Sequence, residues 1–359
     1  MKAASLNSNA IISLIEKPKP DIKEDECLVR VSYCGICSSD VYRAYDNGAY
    51  FYPLIMGHEF SGVIEKIGKS VSSFRIGDLV GVFPLLPCFK CVSCKKKEYV
   101  TCLDYKYYGS RNDGGFSEYV AVKDWNLFKV EDKLDPKDIS LLEPLSVVVH
   151  SLKQANIYNK TNFETDSICI IGCGFLGLIL AEIISKKYNF KEISIVDRNN
   201  FKLDKITSND NVVKTKINSE DEWASFLKNN KSQFDYTFEM SGNAKNFVRS
   251  IDLAKPKSKI VWLGNIDDNL VIPRKTISSV IRKELNIIGT WNSNFKNKND
   301  DWKDSYEFLK EKIVKPSKFV TKSITIEEIQ KITKKMYNHK VGIKRHEYIK
   351  YIVAISNDR

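Results

Sequence analysis

The sequence predicts an α/β chain in two parts: a first part of short strands, all-β or barrel-like, followed by a doubly wound parallel sheet. Three observations predict it. The chain has 359 residues, long enough for two domains of ordinary size. Residues 1–150 carry short apolar runs separated by glycines. Beyond them apolar strands alternate with helical spans.

In the first part the runs are 27–33, 62–67, 79–82 and 119–122, with Gly57, Gly62, Gly68, Gly77, Gly81 and Gly109 between or beside them. Short β-type runs punctuated by glycine read as strands and turns. From about Leu141 the texture changes. Strands are expected at 168–172, 193–197, 212–214, 234–239, 259–264 and 285–291, with helices between them, clearest at 175–187 and 244–254. Strands joined by helical crossovers give a parallel sheet covered on both faces. After Trp291 come charged helices at 301–314 and 326–337, with apolar residues three and four apart.

A hydrophobic content of 43% with 28% charged residues excludes disordered, collagen-like and low-complexity classes. The net charge of +11 is compatible with anionic partners and equally with a lysine-rich composition alone. It is not gathered into a basic-aromatic patch, so no nucleic-acid role is expected. The apolar run 10–15 is ended by Glu16 and Pro18, which does not make a signal peptide. The longest apolar stretch, 168–184, is broken by Gly172, Gly174, Gly177 and Glu182, so no membrane span is expected. A cytoplasmic protein follows, and its nine cysteines read as ligands or free thiols.

Four of those cysteines, Cys88, Cys91, Cys94 and Cys102, fall within 15 residues of lysine-rich sequence. Four soft thiolates fill a tetrahedral shell and leave no place for substrate, so they predict a structural zinc site. A second set is dispersed: Cys37, then His58 with Glu59, then Glu143. Thiolate, imidazole and carboxylate can hold zinc with one position open. Spacing alone does not join them. Singly, His58 reads as a satisfied turn histidine and Glu143 as a helix N-terminal carboxylate. The third motif, Gly172-x-Gly174-x-x-Gly177, follows an apolar strand, opens a helix, and has Asp197 at the end of the next strand. That context is the dinucleotide fingerprint. Gly172 permits the tight turn, Gly174 admits the pyrophosphate and Gly177 packs helix against strand. Asp197 accepts from both ribose hydroxyls and favours NAD over NADP. Arg198 beside it can stack on adenine or meet a 2′-phosphate.

With these motifs in order, the chain resembles the zinc-dependent medium-chain dehydrogenase/reductase superfamily, and within it the polyol dehydrogenase branch. Supporting segments are 57–63, 77–80, 113–119 and 143–146, with 84–91, 109–115 and 281–291 pointing to the dehydrogenases of sugar-alcohol phosphates. The resemblance implies a GroES-like β-barrel catalytic domain over 1–150, completed by 292–359, and a Rossmann NAD-binding domain over 151–291. It implies two zinc ions per subunit and NAD, with a cleft between the domains for zinc and nicotinamide. It joins Cys37, His58 and Glu143 as catalytic zinc ligands, with Glu59 beside the metal as an outer partner or alternating ligand, and Asp40 orienting His58. Ser39 matches the hydroxyl that starts the proton relay; the next relay position of simple alcohol dehydrogenases, a histidine, is Tyr42 here. Cys27, Cys34, Cys169 and Cys173 are left as core thiols. The implied reaction oxidises a secondary alcohol of a sugar-alcohol phosphate, of the galactitol 1-phosphate to tagatose 6-phosphate type, and the alternative is a free polyol. A phosphate needs cations, and Arg43, Arg111, Arg282, Lys283 and Lys344 are the candidates, each equally readable as a solvated charge. The resemblance also implies a homodimer or homotetramer. The tail 345–359 reads as an added strand or an extension of a subunit interface.

Overall fold

The computed structural model describes residues 1–266 and 268–356. The chain divides into two compact units. One holds Met1–Ser146, Ser293–Lys310 and the chain from Lys315; the other holds Val147–Asn292 with Glu311–Val314.

The first unit is built on antiparallel strands. Strand Glu26–Gly35 is its centre, pairing with Glu59–Ile67 on one side and with Lys350–Ala354 on the other, while Tyr119–Lys123 also pairs with it. The long central strand is buried along most of its length, as its run of Cys27, Leu28, Val29 and Val31 requires. The sheet continues through Leu79–Val82 to Leu127–Lys129 at one edge and to Val320–Ile324 at the other. A separate hairpin, Lys2–Ser8 with Ile11–Glu16, and the short strand Leu54–Ile55 form a smaller sheet. The sequence reading had not identified these strands. The returning segment Ser293–Lys310 is fixed by aromatic packing: Phe295 stacks on Phe83 at 4.7 Å between ring centroids, and Trp302 meets Phe83 edge-on at 5.8 Å.

The tail is an added strand. Lys350–Ala354 inserts between the central strand, antiparallel, and Val320–Ile324, parallel. The part of the tail beyond Ser356 lies outside the described residues.

The second unit is a six-stranded parallel sheet in the order Val212–Lys216, Glu192–Asp197, Ser167–Ile171, Phe234–Glu239, Ala254–Trp262, Asn286–Gly289. The strand of this sheet that comes first along the chain, Ser167–Ile171, is therefore central, and the order reverses between it and Phe234–Glu239, which makes the switch point where such sheets bind ligands. All five residues of Ser167–Ile171 are buried, the burial expected of a central parallel strand. Helix Phe175–Lys187 starts directly after the glycine loop. Among the described residues no helix is long and apolar enough to cross a membrane.

Candidate metal centres and cofactor loop

Cys88, Cys91, Cys94 and Cys102 bring their sulfurs together, all within 4.8 Å of one another. Two of the separations are close to a tetrahedron's edges: Cys88 to Cys94 is 4.0 Å and Cys91 to Cys102 is 3.9 Å. Zinc–sulfur bonds of about 2.3 Å in a tetrahedron would give about 3.8 Å. The turn that gathers them has Phe89 and Lys97 at positive φ, 58° and 61°. Backbone amides point at the sulfurs, with Cys88 N–H donating to Cys102 Sγ at 3.2 Å and Cys91 N–H to Cys88 Sγ at 3.4 Å. Backbone donors from Leu103 and Cys94 hold the Cys91 thiol down to about 6, which favours the thiolate a metal needs. The donor set fits a closed zinc site.

The second group is Cys37, His58 and Glu59, whose ligand atoms also lie within 4.8 Å of one another. Cys37 caps the short helix Ser38–Tyr42, and Asp40 in that helix accepts from the Cys37 amide at 3.0 Å. The other oxygen of Asp40 faces His58 Nδ1 at 3.4 Å. One fully buried carboxylate thus fixes both the thiol's backbone and the imidazole. His58 ends the loop before strand Glu59–Ile67, so Glu59 is the first residue of that strand. Its carboxylate meets the ammonium of Lys350 at 2.6 and 2.5 Å, and both residues are buried. Gly35, opposite Glu59 in the ladder, leaves the room: a Cβ there would lie 2.1 Å from Glu59 Oε2.

Glu143 sits in the first turn of helix Leu142–Gln154 and is buried. It is not in the close group. The Tyr107 hydroxyl donates to its Oε1 at 3.3 Å, and the Tyr107 ring meets His58 edge-on at 5.7 Å. The resemblance made Glu143 the third ligand with Glu59 beside it. The structure groups Glu59 with Cys37 and His58 and turns Glu143 to a phenol. Burial pushes the Glu143 carboxyl up to about 7, with the Glu59 charge adding to the rise, and His58 and Lys350 opposing it. Burial would lower His58, but Asp40 and Cys37 hold its pKa well above the ordinary value. Three carboxyl groups, Asp40, Glu59 and Glu143, are buried around the Cys37 thiol and the His58 imidazole. Such a pocket accepts a cation, and its thiol, imidazole and carboxylates are the donors zinc takes.

The remaining expected residues fall into place as follows. Ser39 is exposed on the Ser38–Tyr42 helix, and the Tyr42 ring carries the Lys340 ammonium on its face. Cys27, Cys34, Cys169 and Cys173 are buried, and burial pushes each thiol's pKa up. Arg43 donates to the Ser39 carbonyl at 3.2 Å. Lys283 donates to the Ala254 carbonyl at 2.8 Å, beside the last carbonyls of helix Ala244–Leu253, a structural role. Arg282 and Lys344 are exposed. Tyr107 and Lys350 were not singled out from the sequence.

In the second unit Gly172 has φ 102°, a conformation open to glycine. A Cβ on Gly177 would lie 2.1 Å from the Gly172 carbonyl oxygen, and a Cβ on Gly174 would meet nothing within 4 Å. Asp197 accepts from the Cys173 amide at 2.7 Å and the Asn199 amide at 2.9 Å, which fixes its carboxylate beside the loop. Arg198 is exposed.

Two family models match the chain. An alcohol dehydrogenase GroES-like domain matches residues 23–132, and a glucose dehydrogenase C-terminus matches residues 138–350. The galactitol 1-phosphate 5-dehydrogenase of Escherichia coli K12 is 31% identical over 295 residues, 81% of this chain and 83% of that protein. The sorbitol dehydrogenase of Bacillus subtilis 168 is 28% identical over 338 residues, 92% of each. The crystal structure of the galactitol-1-phosphate dehydrogenase from Escherichia coli superimposes with a TM-score of 0.85 at 27% identity, covering 99% of this chain and 100% of that one.

Proposed function

The chain belongs to the zinc-containing medium-chain alcohol and polyol dehydrogenase family, and on that premise we propose that it oxidises a secondary alcohol of a sugar-alcohol phosphate with NAD as acceptor. The observation that carries the reading is the close group of half-buried Cys37 with buried His58 and Glu59, with Glu143 held alongside by Tyr107. Zinc supplies a Lewis acid for a hydroxyl and NAD supplies the hydride acceptor. The protein's own part is orientation and charge. The Asp40 carboxylate faces His58 Nδ1 at 3.4 Å and orients the ring so that its other nitrogen is left for metal. Tyr107 holds Glu143 beside His58. Lys350 neutralises Glu59 and sets how far that carboxylate can swing. The reaction removes a hydride and a proton from one CH–OH group, and Ser39 is the first acceptor proposed on the proton's way out, with Glu59 as the alternative. Cys88, Cys91, Cys94 and Cys102 hold a second, structural zinc.

NAD rather than NADP is supported by the Asp197 carboxylate beside the glycine loop, which would repel a 2′-phosphate. The phosphorylated substrate is supported by the relative that acts on galactitol 1-phosphate. The likeness to sorbitol dehydrogenase over most of both chains supports a free polyol as the second reading. The cysteines, all free among the described residues, support a reducing, cytoplasmic location.

The test is the initial rate of NAD and NADP reduction with galactitol 1-phosphate, galactitol, sorbitol and threonine at equal concentration, with and without a zinc chelator. Turnover confined to the phosphorylated polyol and NAD, and lost to the chelator, is expected. Equal turnover of galactitol would overturn the phosphate reading and leave a general polyol dehydrogenase.

A homo-oligomer built through the second unit is proposed as well. Its support is the last strand of the parallel sheet, Asn286–Gly289, at the sheet's edge, with Ile287 40% and Trp291 59% exposed. Light scattering should return two or four times the chain mass of 41.1 kDa. A monomer at micromolar concentration would contradict it.

A further inference from the structure

Arg111 stands out among the five cations considered for a phosphate. It is half-buried, and its guanidinium lies over two aromatic rings: 4.1 Å from the centroid of Tyr50 and 4.3 Å from that of Tyr105. It donates to the Tyr50 hydroxyl at 2.8 Å. Among the described residues no carboxylate pairs with it. Asp113, two positions on, is engaged elsewhere: it accepts from the Ile55 amide at 3.0 Å and from Lys17 at 3.4 Å. A guanidinium held between two ring faces keeps its charge and its planar fork of donors.

The loop that carries Arg111 is tied to the metal group. The Tyr107 carbonyl accepts from the amides of Ser110, Arg111 and Asn112 at 3.2, 2.9 and 3.0 Å, so the turn starts at the residue whose hydroxyl holds Glu143. The Gly114 amide donates to Ile55, Gly115 to Gly57 and Phe116 to Met56, all within 2.9 Å. These carbonyls lie immediately before His58. A Cβ on Gly114 would come within 2.1 Å of the Gly57 carbonyl oxygen, which explains glycine there. Backbone hydrogen bonds thus tie the loop that carries Arg111 to the residues immediately before His58. Tyr105 and Tyr107 span the gap as rings, 6.3 Å apart, with Tyr107 5.7 Å from His58. An extended six-carbon polyol phosphate reaches about 7–8 Å from its carbinol carbon to phosphorus, with bonds of about 1.5 Å. Hydrogen bonds of about 3 Å lengthen that reach at both ends.

We propose that Arg111, clamped between Tyr50 and Tyr105, is the seat for the terminal phosphate of a sugar-alcohol phosphate whose carbinol end lies at Cys37 and His58. The proposal rests on the phosphorylated-substrate reading above. Bidentate pairing with a phosphate monoester is what an arginine fork without a carboxylate partner offers.

The experiment measures kcat/KM for galactitol 1-phosphate and for galactitol with the zinc-loaded protein, in the wild type and in Arg111→Met, Arg111→Lys and Tyr50→Phe. The ratio of the two values should fall about 10- to 100-fold in Arg111→Met, mainly through KM for the phosphorylated substrate. Arg111→Lys should fall in between, because a point charge replaces the fork. Tyr50→Phe keeps the ring and removes the hydroxyl that accepts from Arg111, so it reports on the clamp if Arg111→Met fails to fold, and it should lower the ratio several-fold. A wild type that ignores the phosphate sinks both this seat and the reading beneath it. A wild type that prefers the phosphate, with the ratio unmoved in Arg111→Met or, if that variant does not fold, in Tyr50→Phe, overturns the seat alone. An equal fall for both substrates also overturns it, since that marks a loop-positioning role.

Discussion

Replacing His58 by Ala should lower kcat/KM by about a thousandfold or more and remove one of two zinc equivalents, while the chain stays folded. Two physical arguments set the size. A Lewis acid at the reacting oxygen contributes several kcal/mol, and each 1.4 kcal/mol is a factor of ten in rate. The imidazole is also the one nitrogen ligand in the group, and it is doubly fixed, by Asp40 at 3.4 Å and by the Tyr107 ring at 5.7 Å. The fold should survive because the buried core of the first unit is made by other residues, among them Val29, Val31, Phe60 and Val80. Metal content of the purified variant, read with its thermal melting curve, checks the result. Cys94→Ala is the comparison: it should lose the other zinc and lower the melting temperature, because thiolate-bound structural zinc contributes folding energy. Full activity in His58→Ala, or two zinc equivalents retained, would remove the metal group from the reaction.

Much of this architecture is legible from local sequence because the forces that set it are local. The four cysteines fall in 15 residues, and so few residues between soft ligands leave few other folds. The glycine loop needs one strand before it, one helix after it and one acid on the next strand, all within about 30 residues. The parallel strands announce themselves as apolar runs because both faces of the central ones are buried. The metal pocket is different. His58 lies just before its strand, so the alternation of sides along a strand does not say whether His58 and Glu59 reach one place. They do, and that is why Glu59 joins Cys37 and His58 in one group. Tyr107 lies in the aromatic run 105–108, where nothing in the sequence says which ring turns toward the metal group. Its position follows from the pairing of Lys106–Tyr107 with Leu85–Leu86 and from the backbone bonds of the 109–116 loop to residues 55–57. Lys350 is the extreme case. It meets Glu59 across 291 positions in the chain, and a lysine in a charged tail carries no sign of being buried. Pairing of Lys350–Ala354 with the central strand puts it there, a tertiary event that no local period encodes.

Replacing Lys350 by Met should destabilise the metal-free protein by about 3–5 kcal/mol, the cost of leaving one partner of a buried ion pair uncompensated. Met fills the volume, so the loss is electrostatic rather than a cavity. Burial alone would lower the lysine's pKa, but Glu59 and Cys37 hold it above the ordinary value, so the ammonium is the form present at neutral pH. Without it the Glu59 carboxylate stays in a pocket already holding Cys37, Asp40 and Glu143. Zinc brings two positive charges to the same pocket and relieves that strain. The deficit should therefore shrink in the zinc-loaded protein, and the apparent affinity for zinc should rise as the freed carboxylate turns to the metal. Glu59→Gln combined with Lys350→Met removes both charges and should recover most of the metal-free stability, giving a coupling of the size seen for contacting pairs. Melting curves of wild type, single and double variants, each with and without zinc, decide it. A Lys350→Met protein that melts like the wild type in both states would mean that the pair contributes nothing. A deficit equal in both states would mean that Lys350 braces only the added strand and leaves the Glu59 carboxylate's access to the metal unchanged.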